Sequence, residues 1–335
     1  MSADRGPELV ATRPGPRAAI GSAPDAPSAA PDVSVLVPAK DEAENLPLFM
    51  ELAAEAFSAS GVRYEVIVVD DGSVDGSWTV LEELRGRYPF LRAVRHRVRR
   101  GIADALRTGY LHARGRVLVF YPADLQYRPE DIPRLVAPIL SGDVDMVTGF
   151  KQGKYERRFV SQIYNGLSRR LFQLPVRDLN SVKAYRREIM DAIPIRPDWH
   201  RYMIAVAAAQ GFSVTEIPVP LYPRHAGRSK FGIGRIPIGV LDMLAVWFEL
   251  RFGQKPLLLF GVMGAMLAAI GVLAGLTLLG IRIFAGFGFR PLIDLVMLCV
   301  IVGTILFVGG LVGEMIAAQR AEVRELRRRL DEVDR

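Results

Sequence analysis

From Val33 onward, short apolar runs alternate with longer stretches of mixed polarity, and each change of pattern marks an element. Val33–Val37 has the mainly apolar pattern of a short buried strand, with Pro38 as its expected stop. Tyr64–Val69, Leu91–Val94, Val117–Tyr121 and Asp145–Thr148 repeat that character. Between them, residues 42–59, 78–87, 102–113 and 129–141 read as helices. This alternation predicts βαβ units, hence an α/β, Rossmann-like fold with a mainly parallel sheet and helices on both faces. Such sheets bind ligands beyond the carboxyl ends of their strands. Acidic residues stand directly after three of the predicted strands, at 41–42, 70–71 and 124.

The pattern changes again near the C-terminus. Residues 256–281 and 295–313 are uncharged runs of 26 and 19 residues. At ~1.5 Å per residue each matches a ~30 Å hydrocarbon core, so two membrane spans are predicted rather than two buried core helices. Arg235, Arg251 and Lys255 precede the spans and Arg320, Arg324 and Arg327–Arg329 follow them, against Arg282 and Arg290 between. The positive-inside rule then places both ends in the cytoplasm, as a multi-pass protein of the cytoplasmic (inner) membrane. Gly271 with Gly275, and Gly309 with Gly313, have the spacing that lets helices approach closely. Residues 233–252 read as amphipathic juxtamembrane helices lying on the bilayer. Beyond Gly313, Ile316, Val323 and Leu330 recur every seven residues, which fits either a short coiled coil joining a homo-oligomer or a solvated surface helix. Residues 1–31, rich in Ala, Pro, Gly and Ser, read as a disordered tail and not as a signal peptide. The predicted organisation is thus a tail (1–31), an α/β domain (32–232), a juxtamembrane stretch (233–255), a two-helix hairpin (256–313) and a charged helix (314–335).

Charge and composition narrow the partners. The 335-residue chain carries a formal net charge of +7. Its basic clusters lie at 95–100, 224–235 and 320–329, and the last two flank the hydrophobic region. That placement favours an anionic bilayer over nucleic acid. A single cysteine, Cys299, excludes an intrachain disulfide and a cysteine-based metal site.

Four segments carry candidate chemistry. Pro38-Ala-Lys40-Asp-Glu42-Ala-Glu-Asn45 sets acidic and amide groups at the sheet rim, although alone it is also a turn and helix cap. Asp70-Asp71-Gly72-Ser73 follows a buried strand; its paired carboxylates repel unless something neutralises or hydrogen-bonds them, and a nucleobase or ribose could do so. In Tyr121-Pro-Ala-Asp124-Leu-Gln126, Asp124 and Gln126 offer the oxygen ligands a hard, phosphate-bridging cation takes. Arg224-His-Ala-Gly-Arg228-Ser229-Lys230 packs three cations into seven residues, suiting either a phosphate-gripping loop or a patch facing anionic lipid.

Together these motifs resemble the family 2 inverting glycosyltransferases of GT-A fold, and among them the dolichol-phosphate mannose synthase and polyprenyl-phosphate glycosyltransferase group, over about Val33–Gly261. The resemblance implies transfer of a sugar from a nucleotide-sugar (GDP-mannose or a UDP-hexose) to a polyprenyl phosphate, with inversion. It implies that Pro38, Lys40, Glu42, Val69, Asp71, Ala123, Asp124, Lys151, Arg224 and Lys230 hold the nucleotide-sugar. Asp124 and Gln126 would hold Mg2+ or Mn2+, Arg228, Ser229 and Lys230 the lipid phosphate, and Asp124, Asp178, Arg224 and Lys230 would act in catalysis. Pro122 stands where the family's Asp-Ala-Asp-Leu-Gln motif has its first Asp, so one metal contact is missing. The stretch Asp178 to Arg186 resembles the family's Asp-Leu-Asn…Phe-Lys segment, one residue shorter, and puts Asp178 on the acceptor side; His200-Arg201-Tyr202 is a further match. The rival readings are a different lipid or glycan acceptor and a non-catalytic membrane scaffold of the same fold. A processive polysaccharide synthase would carry Gln-x-x-Arg-Trp, which is absent. Pro122 is the scaffold reading's support, and intact Asp71, Asp124, Arg224 and Lys230 oppose it.

Overall fold

A computed structural model describes residues 30–153, 158–174, 176–193, 199–226, 235–286 and 290–333. The chain forms two compact units, the first ending at Met243 and the second beginning at Leu244.

The first unit is built on seven strands: β1 (Val33–Ala39), β2 (Tyr64–Asp70), β3 (Leu91–Arg95), β4 (Val117–Phe120), β5 (Met146–Gln152), β6 (Lys183–Arg186) and β7 (Val214–Pro220). They form one sheet in the order β3-β2-β1-β4-β6-β5-β7. Four pairings are parallel, and β6 runs antiparallel to both its neighbours. The reversal matters for the site. It sets Lys183, the first residue of β6, opposite Phe120, the last residue of β4. A residue that opens its own strand therefore lies at the carboxyl rim of the parallel ones.

Helices α1 (Leu46–Ser60), α2 (Ser77–Arg87), α3 (Ile102–His112), α4 (Ile132–Leu140), α5 (Arg158–Phe172), α6 (Arg187–Ala192) and α7 (Met203–Ala209) connect and cover the strands. On β1, Val33, Val35, Val37 and Ala39 join one core with Phe49 of α1, Leu81 of α2 and Leu135 of α4. The alternate residue Leu36 faces α3. There Gly109 permits close approach, since a Cβ on it would lie 3.3 Å from Leu36 Cδ2. Both faces are covered, so β2 is buried along its whole length and its Val66–Val69 segment is wholly apolar. At the amino ends of the strands the buried Glu65 accepts hydrogen bonds from Ser34 Oγ (2.6 Å) and the Arg114 backbone N–H (2.7 Å), which satisfies a carboxylate otherwise costly to bury.

Two boundaries differ from expectation. β1 runs through Pro38 to Ala39, with Pro38 opposite Val69 of β2. Ala39 O accepts from Asp71 on the β2 side, whereas Leu36 O accepts from Tyr121 on the β4 side. By alternation Pro38 also turns toward β4, whose pairing has already ended at Leu36, so its missing N–H removes no ladder bond. Helix α1 starts at Leu46 rather than 42, because residues 42–45 form a turn in which Asn45 and Leu46 N–H both bond Glu42 O.

The second unit contains the end of α8 (Arg235–Phe252), a π-helical turn at Leu257–Gly261, α9 (Val262–Ala285) and α10 (Arg290–Val333). Helix α8 spans most of the stretch read as several amphipathic helices, as a single element. Two helical stretches, Leu257–Phe284 and Arg290–Val323, are long and apolar enough to cross a membrane. Their most apolar windows are only 17% and 11% buried, unlike core helices of a soluble domain. The helices pack tightest at Gly264 and Gly303, where a Cβ on Gly303 would lie 2.5 Å from Ala268 N. The Gly271 position is also close, to Val300 and Cys299, while Gly309 meets nothing within 4 Å. Glu314 Oε2 accepts from Leu257 N–H at 3.2 Å, closing the entry to the first span.

Candidate active site

The loops after β1 and β2 are stitched together at the carboxyl rim. Lys40 Nζ donates to Gly72 O (2.6 Å) and pairs with Asp41 (3.1 Å). Asp41, at φ +52°, donates its N–H to Ser73 Oγ and accepts from the Val74 N–H, both at 2.9 Å. Glu42 N–H donates to Ser77 Oγ (2.9 Å), and Glu42 Oε2 accepts from Asn45 (2.5 Å). Gly72 is required here: its φ is +68°, and a Cβ would meet Arg99 N and Val98 C at 2.7 Å. Lys40 and Glu42 thus come together with the second loop, and Pro38 lies opposite Val69 of β2. The Val69 and Ala123 side chains lie in the interior.

The two aspartates of the second loop have separate partners. Asp70 accepts from the Ser73 N–H (2.9 Å) and pairs with Arg95 (3.2 Å). Asp71 is bound by His96 Nδ1 (2.9 Å) and by the backbone N–H groups of Arg100 (2.7 Å) and Gly101 (2.8 Å), where α3 begins. Burial pushes the Asp71 carboxyl up, but these hydrogen bonds together outweigh it and leave its pKa below the ordinary value. His96 is in turn bonded to Thr108 through Nε2 (2.9 Å). Neither His96 nor Thr108 was among the expected site residues. The only hint in the sequence is a histidine at the end of β3 within a basic run.

After β4 the chain alternates inward and outward. Tyr121, Ala123, Leu125 and Tyr127 are buried, and Pro122, Asp124 and Gln126 face the rim. Tyr121 O–H donates to Arg128 O (2.6 Å) and Ser181 Oγ donates to the Tyr127 hydroxyl (3.1 Å), so the inward side chains anchor the loop. Leu125 sits at φ +57°, a strained value for a leucine that the surrounding packing holds. On the outward side, Arg224 Nη2 lies 2.9 Å from Asp124 Oδ2 and 3.3 Å from Gln126 Oε1. The two expected metal ligands thus converge on a single cationic point. That donor pair fits two oxygen positions of a hard divalent ion. Among the described residues no three His, Cys, Asp or Glu side chains cluster for metal, so the other ligands would come from diphosphate and water.

A second cluster lies one strand over. Lys151 of β5 pairs with Asp178 Oδ2 (3.3 Å), and Asp178 Oδ1 accepts from the Asn180 N–H (2.9 Å) and Asn165 Nδ2 (3.4 Å). Lys183 is wholly buried, donates to Ser181 O (2.8 Å) and sits 5.7 Å from the centre of the Phe120 ring. Burial pulls its pKa down; Asp178 opposes this while Lys151 and Arg201 add to it, and the result is about 7. His200 is buried edge-on against Phe120, with Nδ1 unpartnered among the described residues. Burial first, then Arg201 and Lys183, lower it to about 3, so it is neutral at pH 7. Lys151 thus pairs with Asp178, and Lys183 lies within the electrostatic reach of Asp178, Lys151 and Arg201. Arg228, Ser229 and Lys230 lie outside the described residues.

Comparison with known proteins places the chain in a family. Residues 34–191 match Glycosyl transferase family 2. The chain is 30% identical to dodecaprenyl-phosphate galacturonate synthase of Rhizobium johnstonii over 85% of this chain and 88% of that protein. It is 30% identical to undecaprenyl-phosphate 4-deoxy-4-formamido-L-arabinose transferase of Shewanella sediminis over 87% of this chain and 89% of that one. Its fold is similar to glucosyl-3-phosphoglycerate synthase from Mycobacterium tuberculosis, crystallised with Mn2+, UDP and glucosyl-3-phosphoglycerate. That similarity has a TM-score of 0.53 at 20% identity, covering 65% of this chain and 80% of that one. The chain belongs to glycosyl transferase family 2, in its branch of polyprenyl-phosphate sugar transferases.

Proposed function

We propose that the protein transfers a sugar from a nucleotide-sugar to a polyprenyl phosphate at the cytoplasmic face of the inner membrane, releasing a nucleoside diphosphate. The observation that carries this reading is the pair of charged clusters on neighbouring strands of one rim, in a chain that also has two apolar spans. Asp124, Gln126 and Arg224 suit the donor diphosphate. Lys151 beside Asp178, with Lys183 and Arg201 near it, suits a second phosphate, that of the acceptor. Relatives named for dodecaprenyl- and undecaprenyl-phosphate support the acceptor class.

The chemistry asks little of a general base. The acceptor phosphate is already anionic at neutral pH and can attack the anomeric carbon directly, opposite the departing diphosphate, which gives inversion. The lysines and Arg201 bring it to the rim and offset its charge. Asp178 orients Lys151. The Arg224 guanidinium stabilises charge developing on the leaving diphosphate. Mg2+ or Mn2+, when bound at Asp124 and Gln126, supplies further charge neutralisation of that leaving group. Pro38, Lys40, Glu42, Asp71 and the main chain at Val69 and Ala123 fix the floor on which the nucleoside rests.

The test is sugar transfer by the purified protein in detergent, with labelled GDP-mannose, UDP-hexoses and related donors and a polyprenyl phosphate. An organic-extractable labelled product supports the reading and names the donor. Transfer to a glycan but never to the lipid phosphate would overturn the acceptor assignment.

A further inference from the structure

The Asp124–Arg224 contact says more than that both residues belong to the donor site. A guanidinium cannot lose its charge at physiological pH, and here one of its nitrogens serves the carboxylate and the amide oxygen at once. Both partners are largely screened from water, with side-chain exposures of 22% for Arg224 and 15% for Asp124. Arg224 is also held from behind. Tyr222, two residues earlier, donates its N–H to Gln126 O at 2.9 Å and carries the Arg128 guanidinium 4.3 Å above its ring. The strand-like segment before Arg224 is therefore fastened to the same loop whose side chains Arg224 bridges. Pro122 adds to the effect. It brings no carboxylate of its own, so a metal ion approaching Asp124 meets the Arg224 charge with no second anion from that position to offset it.

We infer that Arg224 is the resident counter-cation of this locus, and that a divalent ion enters only when a nucleoside diphosphate draws the guanidinium off Asp124 and Gln126. The diphosphate gives Arg224 a bidentate anionic partner. It frees the two protein oxygens at the same moment and brings phosphate oxygens that complete a hard ion's shell. Metal and donor therefore bind as a linked pair, each raising the affinity of the other by the same factor. The inference rests on the donor reading above, but it concerns binding rather than turnover.

The experiment measures Mn2+ binding to the full-length protein in detergent, from the loss of the free-ion EPR signal. Without nucleotide the wild-type protein is expected to bind Mn2+ weakly. Arg224→Gln is expected to bind it at least about tenfold more tightly, because the competing cation has gone. Arg224→Lys keeps a charge and should stay near wild type. The double variant Arg224→Gln with Asp124→Asn should lose the gain, which assigns it to this site rather than to surface carboxylates. Circular dichroism and thermal unfolding exclude a folding defect in each variant. Equal Mn2+ affinity in wild type and Arg224→Gln overturns the inference, and so does tight binding by the wild type without nucleotide. Sugar transfer measured on the same wild-type preparation separates the two claims. Transfer without the Mn2+ effect removes only the counter-cation role; the Mn2+ effect without transfer removes only the proposed reaction.

Discussion

At the scale of single residues, Lys183 is the most informative group. It is buried at the rim with a pKa near 7, whereas an unfolded lysine titrates near 10.4. Between those values the unfolded chain holds a proton that the folded chain has released, so this residue makes stability rise with pH across that window. Below about pH 7 the lysine is charged in both states, and the cost of burying that charge is present in full. Lys183→Met should therefore raise the thermal unfolding temperature at neutral pH and flatten its rise toward about pH 10. The same variant should raise the KM for lipid phosphate and lower turnover. A core lysine with no role toward the acceptor would give the stability gain and leave that KM alone. Asp124→Asn separates catalysis from scaffolding more bluntly. Losing the carboxylate that pairs with Arg224, and that the proposed mechanism offers to a metal, should lower kcat/KM by about 10²–10³-fold without unfolding the protein. Full activity in Asp124→Asn would remove Asp124 from the mechanism.

At the scale of elements, the loop after β2 depends on one glycine. Gly72→Ala puts a Cβ against the Arg99 and Val98 backbone at a positive φ, and no flexible side chain can yield there. The Lys40–Gly72 bond and the Asp71 bonds to Arg100 and Gly101 should be strained together. Expected outcomes are a clearly lower unfolding temperature and weaker nucleoside diphosphate binding by calorimetry; unchanged affinity would separate this loop from the donor. The strands through β5 were legible because each is an apolar run closed by polar residues. The last two were not. β6 is four residues long with Lys183 and Arg186 at its ends, and the edge strand β7 contains Glu216, Pro218 and Pro220, which are poor strand signals. In the same way the motifs picked out Asp124 and Arg224 separately, but Gln126 and Arg224 are 98 positions apart in the chain. The β5–β7 pairing and the Tyr222–Gln126 bond bring them together. Asp71 was legible as a rim carboxylate, whereas its bond to His96 depends on how β3 ends beside β2.

At the scale of the whole chain, the apolar helices set where the chemistry can occur. Helix α9 has 24 residues, about 36 Å at ~1.5 Å each, which is enough to cross a ~30 Å hydrocarbon core. Helix α10 has 44 residues, roughly twice what a crossing needs, and its charged half begins beyond Gly313 without a break in the helix. The basic residues gather before the first span and after the second, with Arg282 and Arg290 alone near the connection. On the positive-inside rule the proposed reaction predicts that the connection between α9 and α10 is external and that the donor loops are cytoplasmic. Cysteine labelling tests this directly. In a Cys299→Ser background, Phe284→Cys sits at the exposed end of α9 and Val74→Cys at an exposed tip of the loop after β2. A membrane-impermeant maleimide added to spheroplasts should label Phe284→Cys at once and Val74→Cys only after permeabilisation. The reverse pattern would place Asp124 and Arg224 on the side without donor, and the proposed reaction could not then proceed as written. Labelling of both before permeabilisation would mean that the two apolar helices do not form a crossing hairpin.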